Sequence, residues 1–149
     1  MVVDASVAVS RLVQENASHH ARALFRYCEN DRRLIAVPPH FPGEVTNALY
    51  QKQRTNDPHF HLEPAEVDVA VVEFSQLIRR GIAVVAHPEL YPRAVALARA
   101  HGLPTVYDTL YLALAELLRM ELWTNDRRLL DAVGQAISWV RPIREFPLN

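Results

Sequence analysis

Four carboxylates stand where they could act together: Asp4, Glu44, Asp108 and Asp126. Asp4 ends the apolar run Val2-Val3, and Asp126 follows a second such run, Leu122-Trp123-Thr124. Glu44 and Asp108 each fall in the first turn of a helical pattern. Taken one at a time, each has a structural explanation, because Asp is a favoured helix cap and an acid at a helix N-terminus meets the positive end of its dipole. Brought together they would repel, each raising its neighbour's pKa. A cluster of that kind needs a counter-charge. An oxygen-only donor set without Cys or His suits Mg²⁺ or Mn²⁺ better than Zn²⁺. One such ion, or two about 4 Å apart, serves phosphodiester hydrolysis: it acidifies and aligns a water and stabilises the leaving oxygen. It also supplies locally the positive charge that a phosphate needs.

The elements that would position these acids alternate along the chain. Strands are expected at Met1–Val3, Leu34–Val37, Ile82–Ala86, Glu121–Thr124 and Ser138–Val140. Helices are expected at Ser6–Val13, His19–Glu29 with Ser18 as its cap, Phe41–Arg54, Pro64–Arg79, Pro88–Ala100, Tyr107–Leu118 and Arg127–Val133. Ala21, Leu24, Phe25 and Cys28 fall on one helical face, which makes Cys28 a core thiol. The run Ile82–Ala86 is continuously apolar, as in a parallel strand covered on both faces. Strand–helix alternation at this spacing predicts a parallel α/β sheet with right-handed crossovers. In such a sheet Asp4 and Asp126 share the carboxyl edge, and helices that follow strands begin there too, so Glu44 and Asp108 join them. Ligands of open α/β sheets bind at that edge.

The bulk properties narrow the class. The chain has 149 residues, enough for a single domain spanning 1–149, and it is 50% hydrophobic and 22% charged. Its net charge of −1 creates no global field for nucleic acid. Fifteen of the sixteen basic residues are arginine and Lys52 is the exception. One cysteine excludes an internal disulfide framework and a thiolate metal cluster. No stretch reaches the ~20 apolar residues of a membrane span, and the N-terminus lacks a basic segment and carries Asp4 within its apolar run. A soluble, cytoplasmic protein with no membrane partner is expected. The segment Thr55–Pro64 reads as loop, and its His59 and His61 have no third ligand nearby and read as surface residues.

Four segments carry a resemblance: Val2-Val3-Asp4-Ala5-Ser6, Pro38 with Glu44-Val45-Thr46-Asn47-Ala48-Leu49, Tyr107 to Ala115, and Leu122-Trp123-Thr124-Asn125-Asp126-Arg127-Arg128-Leu129. In this order and at these spacings they resemble the signature segments of PIN-domain ribonucleases, the VapC toxins of toxin–antitoxin pairs above all, from residue 1 to about residue 140. The resemblance implies a three-layer α/β/α fold with a five-stranded parallel sheet in the order 3-2-1-4-5. It implies Asp4, Glu44, Asp108 and Asp126 as an acidic quartet around Mg²⁺ or Mn²⁺, with RNA as substrate. It implies a homodimer and a cognate antitoxin that obstructs the site. Ser6 and Thr124 match hydroxyl positions lining the site in relatives, and Asn47 and Asn125 are candidates to orient an acid or touch substrate. Arg11, Arg127 and Arg128 are candidates for RNA phosphate. Tyr111, one turn from Asp108, is assigned to packing. Pro42-Gly43 stands where relatives carry larger apolar residues and is expected to displace the first turn that holds Glu44.

Competing classes fit less well. A receiver-type signalling domain needs an adjacent acid pair after the first strand and a lysine after the last. A haloacid-dehalogenase-like phosphatase needs a second aspartate where Ser6 stands. A Rossmann domain needs a glycine-rich turn after the first strand, and none of the four glycines is there. A non-catalytic PIN scaffold or antitoxin-binding module would show itself by loss of acids, and none is lost.

Overall fold

In the centre of the molecule lies β1, only Val2–Val3, with both side chains at 0% exposure. The computed structural model describes residues 1–133 and 136–148. β2 (Ile35–Val37) pairs with β1 on one side and β4 (Leu122–Thr124) on the other; β3 (Ile82–Val84) and β5 (Val140–Pro142) form the edges. Every pairing is parallel and the order is β3-β2-β1-β4-β5, as the sequence predicts. The register sets Val2 opposite both Ala36 and Leu122, and Val3 opposite Trp123. The residues after β1 and β4 therefore emerge side by side.

Among the described residues seven α-helices cover the sheet: α1 (Ala5–Leu12), α2 (Ser18–Asn30), α3 (Phe41–Lys52), α4 (Pro64–Gly81), α5 (Leu90–His101), α6 (Tyr107–Leu118) and α7 (Arg127–Val133). The apolar face of α2 is buried as its spacing requires, Ala21, Leu24, Phe25 and Cys28 included. α6 is the most buried helix, with every residue from Thr109 to Ala115 inside. α5 ends on Gly102 at φ 63°, the left-handed conformation that glycine adopts without penalty. Among the described residues no helix is long and apolar enough to cross a membrane.

Four expectations are corrected. β5 lies two residues later than Ser138–Val140, because its ladder pairs Leu122 with Val140 and Thr124 with Pro142. A proline closes the strand, which an edge position tolerates since the missing N–H is not needed there. β3 is not fully covered on its faces: Ala83 is half-buried and Val84 is 44% exposed. α4 does not end at Arg79; the helix runs through Gly81 directly into β3. Ser18 is not a cap. Its hydroxyl accepts from the Glu15 amide at 2.7 Å and donates to the Val13 carbonyl at 2.8 Å, so it closes the turn between α1 and α2.

Candidate active site

The carboxyl edge of the sheet is built first around Asp4. Its backbone is extended, and its Oδ1 accepts from the Val7 amide at 3.2 Å, which caps α1. The same Oδ1 accepts from the Ser6 hydroxyl, and Oδ2 accepts from the Thr124 hydroxyl. Capping and site-building are thus one role. The two hydroxyls are also acceptors: Ser6 Oγ takes the Asn125 amide at 2.9 Å, and Thr124 Oγ1 takes the Asp126 amide at 2.9 Å. Each hydroxyl clips the turn after β4 onto the carboxylate after β1. Asp4 is only 5% exposed. Burial drives its pKa up to about 6, the donors from Ser6, Thr124 and Val7 pull it back, and the charge of Asp126 pushes it up again.

Thr124 is 0% exposed. Thr124→Val keeps its shape and leaves both Asp4 Oδ2 and the Asp126 amide short of a partner. Unfolding in urea is expected to show a loss of about 1–3 kcal/mol at unchanged slope, the cost of unsatisfied buried groups. An unmoved midpoint would show that the hydroxyl is not the link between β1 and the turn after β4.

Asp126 is held as firmly. Its Oδ1 accepts from the Arg128 amide at 2.7 Å and the Leu129 amide at 3.3 Å, so it caps α7 while facing the site. Asp108, in the first turn of α6, is half-buried, and its pKa is raised by burial, then by Asp126, then by Glu44, with His40 and Arg128 opposing. Glu44 lies in the first turn of α3, which starts regularly: Thr46 Oγ1 donates to the Pro42 carbonyl at 2.8 Å. The expected displacement by Pro42-Gly43 does not occur, because proline is tolerated in a first helical turn.

Asn47 does not orient Glu44; it is exposed, on the outer side of α3. The partner is Tyr111, whose hydroxyl donates to Glu44 Oε2 at 2.6 Å. Burial first, then the charge of Glu44, its hydrogen bond and the charge of Asp4 push the Tyr111 phenol far above its usual range, so it remains a donor. Tyr111 is therefore more than packing. Its spacing of three from Asp108 puts both on one face of α6, and that was the available signal. The sequence reading also missed His40, four residues before Glu44. Its Nε2 stands 3.4 Å from Glu44 Oε2, and neither ring nitrogen has a hydrogen-bond partner among the described residues. Burial lowers its pKa and Asp108 partly restores it. His40 also lies against Tyr107 and Tyr111, with ring centroids 5.6 and 5.0 Å away.

The structure thus brings Asp4, Asp126, Asp108 and Glu44 into a chain of acting charges, each felt by the next. Asn125 joins them through its amide on Ser6 and its side chain 3.5 Å from Ser10 Oγ. Arg127 and Arg128 are exposed on the rim, and the charge of Arg128 reaches Asp108. Arg11 does not belong with them. It lies in the last turn of α1, the end away from Asp4, and its guanidinium is paired with Glu73 at 2.7 Å.

Among the described residues no three His, Cys, Asp or Glu side chains are gathered into a ready-made metal cage. The donor chemistry still fits Mg²⁺ or Mn²⁺. The acids are oxygen donors, Asp4 and Asp108 are raised first by burial and further by neighbouring acids, and Mg²⁺ is ordinarily held by one or two carboxylates with several waters retained.

Comparison with known proteins agrees with this fold. The family model for the PIN domain matches residues 1–135. The chain is 30% identical over 131 residues to Ribonuclease VapC3 of Pyrobaculum aerophilum, covering 88% of this chain and 92% of that one. The crystal structure of PAE2754 from Pyrobaculum aerophilum superposes with a TM-score of 0.60 at 22% identity, covering 96% of this chain and 90% of that one, and shares the fold. With its sheet order, its acid-bearing edge and a family match over nearly its whole length, the chain belongs to the PIN domain family.

Proposed function

We propose that this chain is an endoribonuclease dependent on Mg²⁺ or Mn²⁺, the toxin of a toxin–antitoxin pair, acting as a homodimer and restrained by a cognate antitoxin protein. What supports the reading is that the Thr124 hydroxyl links Asp4 to the Asp126 amide, that Asp4 is buried, and that the charges of Asp126 and Glu44 reach Asp108. The similarity to a protein named as a ribonuclease supports the substrate class.

Asp4, Asp108, Asp126 and Glu44 would hold the cation, which when bound supplies an acidified water and charge stabilisation at the leaving oxygen. The remaining work belongs to the protein. Ser6 and Thr124 fix the Asp4 carboxylate from both sides, so it does not rotate away. Tyr111 holds Glu44 in place from α6. Arg127 and Arg128, exposed beside Asp126, meet the phosphate backbone as charged forks. Water attacks phosphorus in line, and the products carry a 5′-phosphate and a 3′-hydroxyl.

The test is cleavage of a panel of structured RNAs by purified protein. Cutting is expected with Mg²⁺ or Mn²⁺, lost in EDTA and restored by excess Mn²⁺, with 5′-phosphate ends. Undiminished cutting in EDTA, or none of any RNA with either ion, would sink the reading.

A further inference from the structure

Beside the acids runs a cleft of about 440 Å³, within the ~300–1,000 Å³ usual for small-ligand sites. Ser6, Glu44 and Asn125 line it, together with Gln51, Lys52 and Phe60. Phe60 comes from the segment between α3 and α4, the histidine-bearing loop for which the acid site has no use. That loop is folded on itself. The amides of Phe60 and His61 donate to the Asp57 carbonyl at 3.0 and 2.9 Å, and the Leu62 amide ties it back to Lys52 at 3.1 Å. Phe60 is thereby held at the cleft, with 52% of its surface exposed.

The charges say what fits. Lys52 is neutralised by Glu15 at 2.5 Å and stands 5.4 Å from the Phe60 ring centre, so beside Phe60 the cleft offers a phosphate no free cation among the described residues. A flat, uncharged group with donors and acceptors on its edge needs none: it can lie on Phe60 and meet the amides of Gln51 and Asn125, each able to donate and accept. We propose that this cleft is a nucleobase subsite, which takes one unpaired base of an RNA strand next to the phosphate held at the acids. The proposal rests on the hydrolytic reading of that site. It adds a substrate requirement: the base beside the cut must be single-stranded, because a paired base has its faces stacked and its edge occupied.

The test pairs a change in the protein with a change in the RNA. Single-stranded oligoribonucleotides with an abasic ribose at each position around the cut are cleaved by wild type, Phe60→Ala and Phe60→Trp. Wild type is expected to lose roughly tenfold or more in kcat/KM at one abasic position. Phe60→Ala loses a similar factor on intact RNA and nothing further on that abasic strand, and Phe60→Trp restores the intact rate. Equal activity of Phe60→Ala and wild type on intact RNA, or losses that simply multiply, overturns the subsite. A second readout does not depend on cleavage. A single-stranded oligoribonucleotide carrying 2-aminopurine is titrated with Asp108→Asn protein, with and without Phe60→Ala. Fluorescence quenching that needs Phe60 supports the subsite even if no RNA is cut. Quenching that is absent, or unaffected by Phe60→Ala, overturns it while leaving metal-dependent cleavage to stand on its own.

Discussion

Asp108→Asn is expected to abolish RNA cleavage and, in metal-free buffer, to melt higher than the wild type. The substitution keeps the shape of the side chain and removes its charge. That charge is opposed by burial and by Asp126 and Glu44, with only His40 and Arg128 in its favour. Removing it relieves repulsion in a fold that has no cation bound, so the melting temperature should rise by up to about 4 °C. The same change takes away one of the oxygen donors. Loss of an outer partner of a metal ligand typically costs ~10–100-fold; loss of a donor should cost more, on the order of a thousandfold in kcat/KM. Thermal melts with Mn²⁺ separate the causes. A bound ion stabilises only the state that binds it, so Mn²⁺ should raise the melting temperature of wild type and leave Asp108→Asn where it is. If the variant cuts RNA as fast as wild type, the acids are not the reacting centre.

Asp4 should make metal-free stability depend on pH in an unusual direction. Its carboxyl titrates near 3.8 in the unfolded chain and at about 6 in the fold. Below about pH 4 it is protonated in both states and contributes no penalty. Between about pH 4 and 6 the folded state holds the proton that the unfolded chain releases, so stability falls as pH rises through this window. Above about pH 6 the full penalty is present. Two pH units and a little more, at about 1.4 kcal/mol each, amount to about 3 kcal/mol. Asp108 acts in the same direction, whereas Glu116, whose pKa is lowered chiefly by its hydrogen bond from Arg93, acts in the opposite one. His40, depressed mainly by burial, also opposes it, because its contribution is lost as pH falls. Asp4→Asn isolates the Asp4 share. The unfolding free energy of the variant minus that of wild type should grow by about 3 kcal/mol from pH 4 to pH 6.5 in urea titrations with EDTA. A flat difference across that range would mean that the carboxylate is not buried as described.

Much of this arrangement was legible in the residue order, for reasons that can be named. α6 runs from Tyr107 to Leu118 as its apolar spacing predicts, because a helix buried on nearly every side has little freedom in where it begins and ends. Val2-Val3 and Leu122-Trp123-Thr124 were plain as strands, and with them the shared edge that gathers the acids. β5 was misplaced because a proline reads as a stop, while an edge strand can contain one. β3 looked covered on both faces because composition reports how apolar a run is, not what packs on it. The partner of Glu44 was out of reach for a different reason. Asn47 is near Glu44 along α3, but Tyr111 is 67 positions away, and only the packing of α6 against the sheet brings its hydroxyl there. Arg11 looked like an RNA contact because an arginine in sequence carries no record of its carboxylate, here Glu73 on another helix.

The bond between Thr124 and Asp4 joins residues 120 positions apart. A chain made from its N-terminus onward therefore makes Asp4 long before the residue that clamps it. The middle strand of the sheet, β1, is made well before β4, one of its two neighbours. Such distant pairing delays folding, since the entropy of closing the long loop is lost before the contact is gained. Timing thus becomes a property of the fold: an unfinished chain carries Asp4 and Glu44 without the segment that completes their site.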